Sequence, residues 1–107
     1  MLHRSALATF TLCVSLAASG AALAQDVRNG EMIAKTWCAG CHVVNGDTPS
    51  LGRMDAVPSF SAIAQMSSTT SASLRVFLST PHANMPDYNL TQKEMTDVSA
   101  YILSQRH

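Results

Sequence analysis

The chain has 107 residues, which bounds it to a single domain. It carries seven basic and seven acidic side chains, so its formal net charge is zero. The charges of either sign form no run along the sequence. Nucleic-acid binding needs a clustered basic face. The sequence has none, and we therefore expect no nucleic-acid partner.

Residues 1–24 have the order of a secretory signal peptide. A basic start at Arg4 precedes an apolar run over 6–18, and small residues then end in Ala-Leu-Ala at 22–24. An uncleaved anchor is the alternative, since a membrane span needs about 20 apolar residues and this run approaches that length. We favour cleavage after Ala24, which predicts a mature domain over 25–107, export to the periplasm and no stable membrane anchor.

Hydrophobic periodicity predicts an all-α fold, with helices and no convincing strand. The first helix is predicted over 27–38, and two short helices over 60–66 and 71–79. Glycine, proline and asparagine mark loops over 43–58 and 81–89.

The last helix carries the clearest start signal. Thr91 and Glu94 have the T-x-x-E spacing of a capping box, in which each side chain bonds the other residue's backbone amide. Leu90 and Met95 fit the hydrophobic staple that accompanies such a box. An apolar stripe at helical spacing follows over 98–102, so we predict a helix that begins after Thr91.

The residues at 38–42 read C-x-x-C-H, the spacing of a c-type haem attachment site. Two thiols three residues apart, Cys38 and Cys41, can each form a thioether with one vinyl group on the same porphyrin edge. His42 is then delivered under the ring, where an imidazole nitrogen meets the iron. The motif predicts one covalent haem c, attached at Cys38 and Cys41, with His42 as a metal ligand.

Three other uses of the two cysteines compete with haem attachment. A disulfide across a two-residue gap closes a small, strained ring and contributes little to the stability of the fold. A thioredoxin-like dithiol is expected beside a βαβ pattern, whereas here no strand is predicted. Zinc favours four ligands in two separated pairs, and beyond the motif only His82 and His107 remain in 25–107.

The second axial ligand of such an iron is usually Met or His. Residues 25–107 offer seven candidates: Met32, Met54, Met66, Met85, Met95, His82 and His107. Met32 lies on the helix that leads into the motif, and Met95 belongs to the predicted staple. Met85 is favoured because Pro86 fixes the backbone directly after it, in a loop between two helices. His82, in the same loop, and the two remaining methionines stay open, and core filling is the alternative for any methionine.

Taken in order, these residues resemble the class I (mitochondrial-type) cytochrome c family, in particular its short bacterial members. Gly30 stands eight residues before Cys38, as in the first helix of that family. Pro-Ser-Phe at 58–60 is similar to the proline segment that follows the haem-binding loop. The sequence PHANMP at 81–86 is similar to the methionine loop, and a last helix containing Tyr101 closes the chain.

The resemblance implies a small cytochrome c fold, in which about three to five helices pack around one covalently attached haem. It makes Met85 the sixth ligand, and it implies that the Pro58 carbonyl accepts a hydrogen bond from Nδ1–H of His42. It also implies that Gly30 lets the first and last helices cross closely, with Tyr101 packed over the crossing.

One position departs from the pattern of that family. Four residues before the first cysteine the family often has an aromatic side chain, whereas this sequence has Ala34. Trp37, directly before Cys38, is expected to take over part of that packing at the helix crossing.

The resemblance and the ligand set together imply a soluble electron carrier. An iron with two protein ligands has no open position for a substrate, so we expect one-electron exchange with redox partner proteins and no enzymatic activity. Two alternatives stay open. One is a haem subunit of a larger oxidoreductase, and the other is an open-site haem protein that binds a gas or acts on peroxide.

Overall fold

A computed structural model describes residues 24–46 and 56–107 of the chain. These residues form four α-helices: α1 (Val27–Ile33), α2 (Phe60–Gln65), α3 (Ser71–Leu78) and α4 (Gln92–Ser104). The predicted all-α class is confirmed for this part of the chain, which contains no β-strand. None of its helices is long and apolar enough to cross a membrane. The predicted signal peptide lies outside the described residues, except for Ala24.

The first predicted helix is present but changes type partway along. After α1 the chain continues without a break into a π-helical turn over Ala34–Cys38. The amide of Ala39 closes this turn by donating to the carbonyl oxygen of Ala34, five residues earlier, at 2.9 Å. Such turns hold more residues than an α-helical turn and are frequent at functional sites. This one ends at the first cysteine of the C-x-x-C-H motif.

The helices α1 and α4 cross in direct backbone contact at Gly30. A Cβ atom at this position would overlap the carbonyl oxygen of Asp97 and would lie 2.9 Å from Cβ of Tyr101. Only glycine therefore allows this approach, and the predicted close crossing with Tyr101 packed over it is confirmed.

Trp37 does not contribute to this crossing, so the expectation that it takes over the missing aromatic packing is wrong. Ala34 is fully buried, while Trp37 is 51% exposed and its ring contacts Tyr88 instead. The reason is the π-helical turn, whose i→i+5 bonds rotate Trp37 away from the face on which Ala34 lies.

The core forms where all four helices meet, with α4 as its largest contributor. The predicted capping box is confirmed: Glu94 N donates to Oγ1 of Thr91 at 3.2 Å, and Thr91 N donates to Oε2 of Glu94 at 2.7 Å. The main core cluster consists of Ile33, Ala34, Val44, Phe60, Ala64, Leu74, Val98, Tyr101 and Ile102. A helix started by this box presents its predicted apolar stripe to that cluster.

Asp97 is a fully buried carboxylate that ties α4 to the start of α1. It accepts hydrogen bonds from the amide of Asp26 (2.9 Å), from Nδ2 of Asn29 (2.8 Å) and from Nζ of Lys93 (2.8 and 2.9 Å). Burial by itself would raise the pKa of Asp97, but the hydrogen bonds from Lys93, Asn29 and Asp26 outweigh it, and the pKa is lowered. The carboxylate is therefore ionised in the folded protein at neutral pH.

We predict that Gly30→Ala destabilises the protein by about 1–3 kcal/mol, the range for overpacked cores, because the added methyl group forces the two helices apart. Helix propensity alone favours alanine over glycine by about 1 kcal/mol. The matched control is Ala72→Gly on the exposed face of α3, which should cost about 1 kcal/mol. Urea unfolding measures both variants, and a Gly30→Ala protein as stable as wild type would contradict the tight crossing.

We also predict that Asp97 makes the fold sensitive to acid. Its folded-state pKa lies below the unfolded value of about 3.9, so its contribution is fully present above that value and is lost as the pH falls through the folded pKa. Asp97→Asn should lower the free energy of unfolding at neutral pH by about 1.5–3 kcal/mol, the range for hydrogen bonds to a charged group. The free energy of unfolding of the variant should also decline less at low pH than that of the wild-type protein.

The measurement is urea unfolding, followed by far-UV circular dichroism, over a series of pH values between neutral and strongly acidic. Glu31→Gln is the control, because it removes a carboxylate from an exposed ion pair with Lys35 (2.6 Å), and such pairs contribute little. An Asp97→Asn protein with the acid sensitivity of wild type would show that other carboxylates are responsible.

Candidate functional site

The two cysteines and the histidine of the motif are held together by a tight turn. The backbone amides of Cys41 and His42 both donate to the carbonyl oxygen of Cys38, at 3.1 and 2.9 Å. Both cysteines are half-buried free thiols. Burial raises the pKa of the Cys38 thiol to about 11, so it is neutral at physiological pH. The reactive cysteine of a dithiol oxidoreductase has a lowered pKa instead.

His42 has one ring nitrogen committed to the protein backbone. Its Nδ1 lies 2.6 Å from the carbonyl oxygen of Pro58. Since a carbonyl oxygen can only accept a hydrogen bond, Nδ1 carries a proton, and a neutral ring in this arrangement has its lone pair on Nε2. A neutral imidazole with a free Nε2 can bind a metal ion through that nitrogen, and a hydrogen bond from Nδ1 orients the ring and raises its basicity.

The segment after the motif is fastened to α2 and α4 by bonds that the sequence does not reveal. Phe60 N donates to the carbonyl oxygen of Val43 at 2.9 Å. The buried hydroxyl of Tyr101 donates to the carbonyl oxygen of Val44 at 2.8 Å. Burial raises the pKa of Tyr101, so the phenol keeps its proton. The Phe60 ring lies between those of His42 and Tyr101, at 5.4 and 6.2 Å. His42 is thereby supported from the core.

The loop over 81–89 presents Met85 through its own local structure. Asn84 and Asn89 adopt left-handed backbone conformations, with φ of 64° and 51°, which asparagine tolerates better than most residues. Asn89 N donates to Oδ1 of Asp87 at 2.8 Å, and Met85 pairs with His82 across a short bridge. These turns hold Met85 between two sharp changes of chain direction.

A cleft of about 450 Å³, including its part open to solvent, lies between the π-helical turn and this loop. Part of its wall is formed by Ile33, Trp37 and Cys38, and the rest by residues within 77–90, including Met85. Most of the residues that line the cleft are apolar, which is typical of sites that bind small molecules and cofactors.

The side chains that line the cleft are chemically suited to an apolar macrocycle. Trp37, Phe77 and Tyr88 all line it and are 51%, 45% and 42% exposed. Large apolar side chains gathered on one exposed surface are typical of a binding site. A free thiol lies at one side of this surface, and Met85 and His82 line the other part of the wall. The residues present therefore suit a porphyrin that is attached through cysteine.

The structure brings Cys38, His82 and Met85 to one cleft. Cys41 and His42 do not line it, and they lie just beyond Cys38 in the turn of the motif. Among the candidate sixth ligands within 24–46 and 56–107, only Met85 and His82 share this cleft with Cys38. The His82 ring is stacked on the Phe77 ring at 3.5 Å between centroids, which leaves the thioether of Met85 as the less engaged of the two donors.

The other candidate ligands lie elsewhere. Met32 is 62% exposed on α1, Met66 is 47% exposed at the end of α2, and Met95 is buried in the core. His107 lies at the C-terminus, with Nε2 3.5 Å from Oγ of Ser61. Met54 falls outside the residues that the structure describes.

Comparison with known proteins places the chain in a family. The cytochrome c family model matches residues 27–106. The chain is 42% identical over 99 residues to cytochrome c-552 of Bradyrhizobium diazoefficiens, an alignment that covers 89% of this chain and 92% of that protein. No solved structure gives a significant match. The chain belongs to the class I cytochrome c family.

Family membership defines the cofactor and the general activity. The protein binds haem c covalently and is a monohaem electron carrier. The predictions of the family, of a small all-α cytochrome c fold and of a covalent haem c are confirmed.

Proposed function

We propose that the chain is a periplasmic one-electron carrier that holds a single haem c through Cys38 and Cys41, with His42 and Met85 as axial ligands. The observation that carries this proposal is the shared cleft of Cys38 and Met85, next to a histidine whose Nδ1 is bonded to Pro58. When bound, haem c supplies one iron that gains or loses a single electron.

Each residue of the proposed site has a separate role. Pro58 acts through His42, since its carbonyl oxygen fixes the orientation of the imidazole and leaves Nε2 as the donor atom. Met85 offers a thioether, and a Met/His ligand pair raises the reduction potential. Apolar side chains of the cleft surround Met85, and the hydrophobic shell around a metal site also tunes its potential.

The proposal extends to export and partners. Residues 1–24 act as a signal peptide that is cleaved after Ala24, and the domain over 25–107 works in the periplasm. Its partners are redox proteins, one that donates an electron and one that accepts it. If His42 and Met85 both held the iron, no position on it would be open to a substrate, and the chain would act as a carrier and not as an enzyme.

We predict that haem stays with the polypeptide through denaturation and acid–organic extraction, because two thioethers hold it. The intact mass of the exported protein should equal residues 25–107 plus one haem. Cys38→Ala and Cys41→Ala should each remove one thioether and reduce haem retention. Mass spectrometry and the absorbance of the extracted protein measure both effects.

Cys13→Ala is the matched control, because Cys13 lies in the proposed signal peptide and the variant should retain its haem fully. Freely extractable haem, or a mass with a Cys38–Cys41 disulfide, would contradict the attachment. A mass that begins at Met1 with haem attached would contradict only the cleavage.

We predict that Met85→Ala abolishes the weak near-infrared band of a sulfur–iron bond in the oxidised protein. The variant should also have a lower reduction potential, because the thioether favours ferrous iron, and it should bind cyanide and carbon monoxide. Optical spectra recorded during a potentiometric titration measure the band and the potential together.

Met66→Ala is the control, since Met66 is a half-exposed methionine that does not line the cleft, and it should leave all three properties unchanged. If Met85→Ala is silent and His82→Ala produces the change, the iron has two histidine ligands. If the wild-type protein already binds carbon monoxide readily, the site is open and the carrier proposal is wrong. Stable co-purification with a catalytic protein would instead indicate a subunit of a larger oxidoreductase.

A further inference from the structure

The rings of Trp37 and Tyr88 meet beside the cleft, 5.3 Å apart between centroids and tilted by 38°. Both residues line the cleft. We propose that this ring pair is a positioning contact, which holds the loop that carries Met85 against the helix that carries Cys38. The inference rests on the proposed function, because it gives the pair its role through the ligand Met85.

Trp37 is directed to this contact by the π-helical turn. A side chain on the buried face would join the core, as Ala34 does, but Trp37 is half-exposed and is absent from the core cluster. Trp37 is therefore outside the packing of the helix crossing, although it directly precedes the attachment cysteine. Its ring contact within the described chain is with Tyr88.

Tyr88 lies three residues after Met85, in a loop with few other attachments. No residue in 81–89 is buried, and only His82 and Met85 are partly so. The hydrogen bonds of these residues within the described parts of the chain stay inside the loop. The stacking of His82 on Phe77 fastens the loop to α3, whereas the ring of Tyr88 reaches the turn that contains Cys38.

The geometry of the pair is that of a favourable aromatic contact, since ring centroids 4.5–7 Å apart in tilted arrangements attract each other. The usual strength of such a pair corresponds to about a twofold to tenfold shift in an equilibrium. If the pair closes the loop, its loss should raise the population in which Met85 has left the iron by that factor. An external ligand would then compete more successfully for the same position.

The test uses the oxidised holoprotein with Trp37→Ala, Tyr88→Ala and the double variant. Each single variant should raise the affinity for imidazole about twofold to tenfold. The near-infrared band should disappear at a lower temperature than in wild type, while the temperature of global unfolding should fall by less. The double variant should resemble the single variants, because either change removes the same contact. Imidazole titration and thermal melts of the band and of far-UV circular dichroism provide the data.

Two controls separate the ring contact from general destabilisation. Tyr88→Phe keeps the ring and should behave like wild type. Val76→Ala removes a side chain that is 66% exposed on α3 and does not line the cleft, and it should also behave like wild type. If Trp37→Ala takes up haem poorly, Trp37→Leu replaces it, since leucine keeps apolar bulk beside Cys38 without a ring.

The proposal would be overturned if the two single changes in imidazole affinity multiplied in the double variant. It would also be overturned if the Tyr88→Phe protein behaved like Tyr88→Ala. A band that is present but insensitive to loss of either ring overturns the positioning role alone. A wild-type protein without the band overturns the assignment of Met85 and the positioning role with it.

Discussion

The backbone contact between α1 and α4 at Gly30 is the constraint on which the rest of the structure depends. Because any side chain there would overlap the Asp97 carbonyl, the two helices approach as closely as their backbones allow. The Asp97 carboxylate then reaches the first turn of α1 and is buried with three sets of hydrogen bonds. The crossing fixes the direction of α1, and through it the place at which Cys38 enters the site.

The same helix, α4, also supports the histidine of the motif. The Tyr101 hydroxyl holds the backbone at Val44, and the Phe60 ring lies between Tyr101 and His42. The cysteine and histidine half of the site is therefore built into the core. The loop of Met85 is mostly exposed and depends on local turns and two ring contacts. This difference predicts that the methionine side of the site opens before the histidine side does.

Features written in short stretches of sequence were predictable. The C-x-x-C-H spacing, the capping box at Thr91 and the periodicity of four helices each involve residues within one or two helical turns, so their physical cause is local. The resemblance to the cytochrome c family added the close crossing at Gly30 and the expected bond from His42 to Pro58, a contact that the structure contains.

By itself, the sequence determined the fold class through local periodicity and the covalent cofactor through one five-residue motif, and the order of its motifs along the chain carried the resemblance to the family. Only the tertiary structure decided which distant residues meet. Asp97 accepts a hydrogen bond from Asp26, which lies 71 residues earlier in the sequence, and Tyr101 donates one to Val44, which lies 57 residues earlier. The sequence placed Trp37 wrongly, because the change from α-helix to π-helix at Ala34 rotates its ring away from the crossing and towards Tyr88. No local pattern encodes such pairs, since they arise when helices and loops pack around a common core and bring together side chains with no relation in sequence.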